Sequence, residues 1–96
     1  MATYMIFLRE GAIVDPAAMA EYGAMNRASA PDPNLKPLVV YGAMETLEGD
    51  PADGMVMVEF PDAAAAKAWY QSPAYQAAIP LRQKGAPYRC FMVEGL

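Results

Sequence analysis

The chain has 96 residues, of which 55% are hydrophobic and 19% are charged, with a formal net charge of −4 and a pI near 4.5. So short a chain predicts one domain over residues 1–96, and its acidic balance with scattered Lys and Arg argues against nucleic acid and anionic membrane surfaces as partners. The sequence contains no His, which excludes Ser-His or Cys-His nucleophile pairs, His-ligated haem and His-based metal sites.

The apolar content is high for a chain of this size. A domain of this length removes roughly 60–65% of its unfolded surface from water on folding, so its core is small. A monomer would leave much of its apolar surface exposed. We therefore expect a second buried surface, most simply an interface with another copy of the chain.

Several features of the sequence predict a cytoplasmic protein without a membrane partner. The single cysteine, Cys90, allows no disulfide within the chain and suits a reducing compartment. The first residues lead directly into a strand pattern, with no basic segment before an apolar stretch. Apolar runs are all much shorter than the roughly 20 residues needed to cross a bilayer.

The first half of the chain predicts a strand, a helix and a second strand. Residues 3–9 form a short apolar run with β-branched and aromatic members, which is typical of a strand buried on both faces. Asp15 and Pro16 predict the start of a helix that continues to about Ser29, because Asp accepts from a free helical N–H and Pro needs no partner at the first position. Residues 30–34 break this helix, and residues 36–47 predict a long strand in which Gly42 marks a bulge.

The second half of the chain predicts a third strand, a helix followed by a second helical segment, and a fourth strand. Turn residues at 48–54 lead into a strand at 55–60, antiparallel to the one before it. Asp62 caps a helix over 63–70, Ser72 and Pro73 break it and begin a helical segment to about Lys84 that bends at Pro80, and residues 87–94 predict a last strand. The order βαββαβ predicts a ferredoxin-like α+β fold with a four-stranded antiparallel sheet and helices on one face.

The strand at 55–60 indicates how the two sheet faces differ. Alternation places Val56, Val58 and Phe60 on one side and Met55, Met57 and Glu59 on the other. Helices cover one side of such a sheet, so the Met-rich side needs another cover. We expect it to stack on the same face of a second subunit, with further methionines from neighbouring segments, namely Met5, Met44 and Met92.

Several segments resemble the DUF1330 family of small bacterial proteins: residues 47–50 (LEGD), 58–62 (VEFPD), 68–76 (AWYQSPAYQ), Arg82 and 93–95 (VEG). The resemblance covers nearly the whole chain. It implies a ferredoxin-like subunit of the dimeric α+β barrel superfamily, in which two sheets face each other around a cavity. The family has no assigned reaction, so the resemblance implies an uncharacterised small protein. Family members often have an Arg-Gly pair where this chain has Tyr41-Gly42, so an arginine at that position is lost here.

Six residues are candidates for binding a small organic ligand. Arg82 would clamp a carboxylate, or else would pair with a nearby Glu or with carbonyls at a helix end. With Tyr75 it is expected at the rim of a cavity. The others would orient a ligand through phenol, indole or hydroxyl groups, or would instead pack the second helix on the sheet and cap its end; they are Tyr41, Trp69, Tyr70, Ser72 and Tyr75.

Glu59 is the candidate catalytic residue. Its position beside Met55 and Met57 predicts a carboxylate facing the interior of the barrel, where it would act as a general acid or base. The alternative is a salt bridge at the strand end or across the subunit interface.

The sequence contains no nucleotide-binding loop, metal-ligand cluster or nucleophile motif, so we predict neither a cofactor nor a metal. The leading hypothesis is a cytoplasmic homodimer that binds a small molecule between its sheet and helices. The alternative is a cofactor-free enzyme of the lactone-isomerase, cyclase or monooxygenase kind, which rests on analogy of fold.

Overall fold

The computed structural model describes residues 1–29 and 31–96, and its elements follow the order βαββααβ. Ala30, the first residue of the predicted helix break, lies outside the described residues. The strands and helices are β1 (Thr3–Arg9), α1 (Pro16–Ala28), β2 (Lys36–Val40), β3 (Gly54–Phe60), α2 (Ala63–Tyr70), α3 (Pro73–Gly85) and β4 (Tyr88–Glu94).

The strands form one antiparallel sheet in the order β2-β3-β1-β4. The register pairs Met5 with Val58 and with Met92, so these three residues point to the same side of the sheet. That side carries the helices, because Met5, Phe7, Val58 and Phe60 are all buried in the core with residues of α2 and α3. The predicted α+β fold with helices on one face is therefore confirmed.

Local sequence explains where the helices start. Each begins after a side chain whose oxygen accepts a hydrogen bond from a free backbone N–H of the first turn: Asp15 from Ala18 at 3.0 Å, Asp62 from Ala65 at 2.8 Å, and Ser72 from Tyr75 at 3.3 Å. Pro occupies the first turn of α1 and α3, where its missing N–H costs nothing. Pro80 lies inside α3, and the helix continues past it to Gly85.

Helices α1 and α3 pack closely against each other at Gly85. A Cβ at this position would overlap the side chain of Met19, so only glycine fits without a shift. The Gly85 carbonyl also accepts the backbone N–H groups of Val14 and Asp15, at 2.8 and 3.2 Å. This contact fixes the start of α1 beside the end of α3, and both helices then border the same pocket.

The second strand is shorter than its sequence pattern predicts. It ends at Val40, and residues 41–53 form an exposed loop that includes Gly42 and Met44. Tyr41 has φ of 52° and turns the chain away, although its N–H still donates to the Met55 carbonyl at 2.8 Å. Because β3 begins only at Gly54, residues beyond Tyr41 have no strand to pair with. The irregularity in β2 lies between Pro37 and Val39 and not at Gly42.

The face of the sheet opposite the helices, which we call the open face, is largely apolar. The register places on it Tyr4, Ile6, Leu8, Val39, Met55, Met57, Glu59, Arg89, Phe91 and Val93. Phe91 and Val93 are 42% and 48% exposed. Three methionines expected here lie elsewhere: Met5 and Met92 are on the helix side of the sheet, and Met44 is in the 41–53 loop. A strand's period of two decides this, because Met5 shares its side with buried Phe7.

No helix in the described part of the chain is long and apolar enough to cross a membrane.

Candidate functional site

A pocket of about 350 Å³ lies between the helix side of the sheet and the helices, and we call it the sheet–helix pocket. All four strands contribute to its lining, with Phe7 from β1, Val40 from β2, Val56 and Val58 from β3, and Tyr88 from β4. Tyr41 lines it from the loop that follows β2, and the helices contribute the rest of the lining described here: Met19, Tyr22, Gly23, Asn26 and Arg27 from α1, Trp69 from α2, and Tyr75 and Arg82 from α3. Its volume falls within the range of small-molecule sites.

Aromatic rings form one wall of the sheet–helix pocket. The Trp69 and Tyr75 rings stack with centroids 4.2 Å apart and an interplanar angle of 30°. Phe7 meets both rings edge-on, at 6.2 Å from Trp69 and 6.3 Å from Tyr75. Edge-to-face and offset arrangements of this kind stabilise aromatic clusters beyond the burial of their area. The rings of this wall are therefore packed on one another before any ligand binds.

Two pairs of tyrosine hydroxyls place polar groups in this mostly apolar lining. Tyr22 and Tyr75 share a hydrogen bond of 2.8 Å that joins α1 to α3, and Tyr41 and Tyr88 share one of 2.6 Å. Burial raises the pKa of the Tyr75 phenol well above its ordinary value, and the Tyr22 hydroxyl raises it further. Burial and the bond to Tyr41 likewise raise the pKa of Tyr88. Both phenols stay protonated at neutral pH and serve as hydrogen-bond donors or acceptors.

Arg82 is a buried cation in the wall of the sheet–helix pocket. It is only 4% exposed, and its Nε has no hydrogen-bond partner among the described residues. The guanidinium carbon lies 5.5 Å from the centre of the Phe7 ring and 5.4 Å from that of Tyr88. These ring faces stabilise the cation in part, but they leave its hydrogen-bonding capacity unused.

Four of the six predicted ligand-binding residues come together in this pocket: Tyr41, Trp69, Tyr75 and Arg82. Tyr41 follows the end of β2, Trp69 lies in α2, and Tyr75 and Arg82 lie in α3. Tyr75 and Arg82 were expected at a rim, but each is only 4% exposed and belongs to the buried wall. No Glu pairs with Arg82 in the described part of the chain: the two ion pairs found there join Lys84 to Asp15 and Arg89 to Glu10.

The structure does not bring Ser72 and Tyr70 into the pocket. The Ser72 hydroxyl accepts the Tyr75 N–H and donates to the Trp69 carbonyl at 2.7 Å, so it links the end of α2 to the start of α3. Ser72 borders a broader depression next to the pocket, which shares Asn26, Arg27, Trp69 and Tyr75 with it. Tyr70 borders a different groove with Met5 and Cys90. The ligand-binding roles of both residues stay predictions.

Glu59 lies on the other side of the sheet from the pocket. Its register partners are Tyr4 on β1 and Lys36 on β2, and it borders a shallow surface depression with Lys36 and Asn34. This is the open face, as alternation predicts. Its catalytic role stays a prediction, and no side chain of the sheet–helix pocket can act together with it through the sheet.

None of the five pocket residues from α1 was among the predicted site residues. Tyr22 and Asn26 recur at helical spacing with Met19, which predicts a buried stripe but does not tell which element it faces. Arg27 is at the end of the same helix. Their role depends on the contact between α1 and α3, whose tyrosines are 53 positions apart in the chain. The helical stripe was the signal that could have identified them.

Among the described residues, no group of three or more His, Cys, Asp or Glu side chains is placed to hold a metal ion. Cys90 is free and half-buried beside the core, and burial raises the pKa of its thiol, so it is protonated at neutral pH.

Comparison with solved structures shows the ferredoxin-like fold. A dimeric ferredoxin-like protein of unknown function from Jannaschia sp. CCS1 superposes with a TM-score of 0.71 at 17% identity, covering 99% of this chain and 100% of that one. A protein of unknown function from Rhodopseudomonas palustris gives 0.66 at 20% identity, covering 99% and 82%. SnoaB, a cofactor-independent oxygenase from Streptomyces nogalater, gives 0.56 at 11% identity, covering 98% and 91%.

No curated protein matches this sequence significantly. The model of one protein family, described as a domain of unknown function (DUF1330), matches residues 2–96. That range includes every element of the sheet and every helix. The chain therefore belongs to the DUF1330 family.

Proposed function

We propose that this protein binds a small organic molecule in the sheet–helix pocket. The observation that carries the proposal is a preformed pocket of about 350 Å³ whose apolar and aromatic lining contains a buried, unpaired Arg82. Specific small-molecule sites combine such apolar walls with a few placed polar groups. A side chain in the core that only served packing would not need a buried charge, because an apolar residue of similar size fills space at lower cost.

The polar groups of the pocket support binding more strongly than catalysis. The described lining has no carboxylate, imidazole or thiol. Its phenols include Tyr75 and Tyr88, whose pKa values are raised by burial, so they are poor proton acceptors at neutral pH. The alternative of a cofactor-free enzyme has a fold-level parallel in SnoaB, and the lining of this pocket offers it no general base.

We also propose that two copies associate through the open face. This face presents apolar side chains from β1, β3 and β4, and the helices α1, α2 and α3 pack on the other side. Exposed apolar patches of this extent mark interaction surfaces. A second copy is the occupant that fits, because the Jannaschia protein with the same fold is described as dimeric. The cytoplasmic location predicted from the sequence stays a prediction.

The binding proposal is tested with two planar probes, cinnamate and its neutral analogue cinnamamide. The sequence has a single tryptophan, Trp69, which lines the pocket, so its indole N–H gives one NMR signal that reports on occupancy. We expect at least one probe to shift this signal in a saturable way. No shift with either probe up to millimolar concentration would contradict the proposal.

A variant that fills the pocket provides the specificity control. Gly23 lines the pocket from α1, and the atom nearest to an added Cβ is the flexible Arg27 guanidinium at 3.1 Å. Gly23→Phe is expected to abolish the probe-induced shift while the fold is retained, since glycine is a poor helix former. Ala24→Phe, at the next and exposed position of α1, is the matched control and should bind as the wild type does.

A further inference from the structure

We infer that the sheet–helix pocket takes a planar monocarboxylate, with the ligand's carboxylate on Arg82 and its flat apolar body against the aromatic wall. This inference rests on the proposed function and adds the chemical class of the ligand. It follows from the electrostatics of Arg82, the charge of the lining and the shape of the wall.

Arg82 needs an anion that the described residues do not provide. A guanidinium remains charged at any physiological pH, and burying a charge without a partner is costly. At 4% exposure with its Nε unpaired, Arg82 differs from Arg89, which is exposed and pairs with Glu10. Its neighbours Tyr75 and Cys90 are held neutral by burial, so they do not neutralise it.

The charge of the lining is opposite to the charge of the whole protein. The charged residues described in the pocket wall are Arg27 and Arg82, with no acidic residue among them, whereas the chain as a whole carries −4. A local positive potential inside an apolar cleft attracts anions and holds them more strongly than the same charges would in water. The pocket therefore selects for a negatively charged ligand.

The single buried cation favours a carboxylate over a phosphate. The planar fork of a guanidinium donates two parallel hydrogen bonds to a carboxylate and neutralises its single charge. A phosphate monoester carries close to two charges and would leave one buried without compensation, since Arg27 is exposed at the end of α1. The mostly apolar lining adds few donors for the extra oxygens.

The aromatic wall favours a flat, aromatic ligand body. Trp69, Tyr75 and Phe7 already pack on one another in stacked and edge-on arrangements, and an aromatic or conjugated group can extend this cluster in the same two ways. The Tyr22–Tyr75 hydroxyl pair lies in the same lining and is a source of a further hydrogen bond to the carboxylate. Because burial keeps the Tyr75 phenol protonated, this donor is retained across the neutral range.

The test compares cinnamate, cinnamamide and phenyl phosphate on the wild-type protein, by titration of the Trp69 indole signal and by calorimetry. We expect cinnamate to bind about tenfold or more tightly than cinnamamide, which corresponds to a charge-assisted hydrogen bond to Arg82. Equal affinity for the two would overturn this inference while leaving the proposed function standing. Tighter binding of phenyl phosphate would overturn the choice of a carboxylate. Binding of none of the three would contradict the inference and the proposed function together.

Variants locate the effect at Arg82. Arg82→Met keeps an unbranched side chain that can fill part of the same space and removes the charge, and it is expected to remove the preference for cinnamate over cinnamamide. Lys84→Met is the matched control. Lys84 lies on the same turn of α3 with its side chain 71% exposed, so this substitution removes one positive charge outside the pocket. A preference that persists in Arg82→Met overturns the inference. If this variant fails to fold, the comparison of the two probes on the wild type decides the question.

Discussion

Tyr75 is the residue at which most of the pocket's interactions meet. It stacks on Trp69 of α2, bonds through its hydroxyl to Tyr22 of α1, and touches the Phe7 ring of β1. Its phenol is therefore buried in an apolar setting and still satisfied by one partner. A buried polar group in this state stabilises the fold only while it remains neutral, because its charged form would lack water.

Tyr75 makes the protein less stable as the pH becomes alkaline. Its folded-state pKa is raised above the unfolded value of about 10, so its stabilising effect is complete below pH 10 and is lost as the pH rises beyond that value. Above this point the unfolded state loses a proton that the folded state keeps. We expect the free energy of unfolding to fall by about 1.4 kcal/mol per pH unit for this residue, from urea denaturation between pH 9 and 11.

In Tyr75→Phe this part of the pH dependence should vanish, with a stability loss of about 1 kcal/mol at neutral pH because Tyr22 loses its partner. The pKa of Tyr88 is raised in the same direction, so a second decrease in the free energy of unfolding at alkaline pH remains in this variant. A pH profile of Tyr75→Phe that parallels the wild type above pH 10 would show that Tyr75 ionises freely in the folded state.

At the scale of the elements, the junction between α2 and α3 sets the geometry of the aromatic wall. Trp69 lies in the last turn of α2 and Tyr75 in the first turn of α3, and Ser72 lies between them with its hydroxyl bonded to both backbones. Pro73 then starts α3 at a position where its missing N–H costs nothing. The stacked pair is thus held by a few residues of local sequence.

Ser72→Ala is expected to lower the free energy of unfolding by about 1 kcal/mol, because α3 loses its capping acceptor. Ser72→Thr, which keeps the hydroxyl, should retain most of the wild-type stability in the same urea denaturation. If Ser72 acts as a cap and not as a ligand group, the affinity of both variants for cinnamate stays at the wild-type value. A large loss of affinity in Ser72→Ala with little change in stability would instead support the ligand-binding role.

At the scale of the whole molecule, the sheet separates two surfaces for which we propose different roles. Its helix side carries the core and the sheet–helix pocket, and its open face carries an apolar patch with Glu59 near one end and Arg89 near the other. We expect a partner to cover this patch, because contiguous exposed apolar surface marks interaction sites. We expect its effects on assembly and the pocket's effects on binding to be separable by mutation.

Met57→Lys tests the assembly. Met57 lies opposite Ile6 on the open face, so a lysine there would place an unpaired charge within the proposed interface. Sedimentation velocity is expected to show a dimer for the wild type and a monomer, or an unfolded chain, for this variant. Ala77→Lys, on an exposed position of α3, is the matched control and should remain dimeric. A folded dimer of Met57→Lys, or a stable wild-type monomer at micromolar concentration, would contradict the proposed interface.

Local sequence was enough to predict the elements whose signals are local. The caps at Asp15, Asp62 and Ser72 predicted where the helices begin, and alternation predicted the sides of Val58 and Glu59 correctly. Capping depends on residues three apart and strand alternation on every second residue, so no distant contact is needed to determine either. Family membership was likewise predicted from short segments of sequence, such as residues 58–62 and 68–76.

What the sequence by itself determined is therefore the sequence of strands and helices along the chain, the helix starts and the two-sided character of the strands. Only the tertiary structure decided that β2 ends at Val40, since the end of a strand depends on where its neighbour starts to pair. Only it decided that Tyr22 meets Tyr75 and that Arg82 is buried without an acidic partner. These contacts join residues on different elements, and a pattern along one element carries no information on which other element it will face.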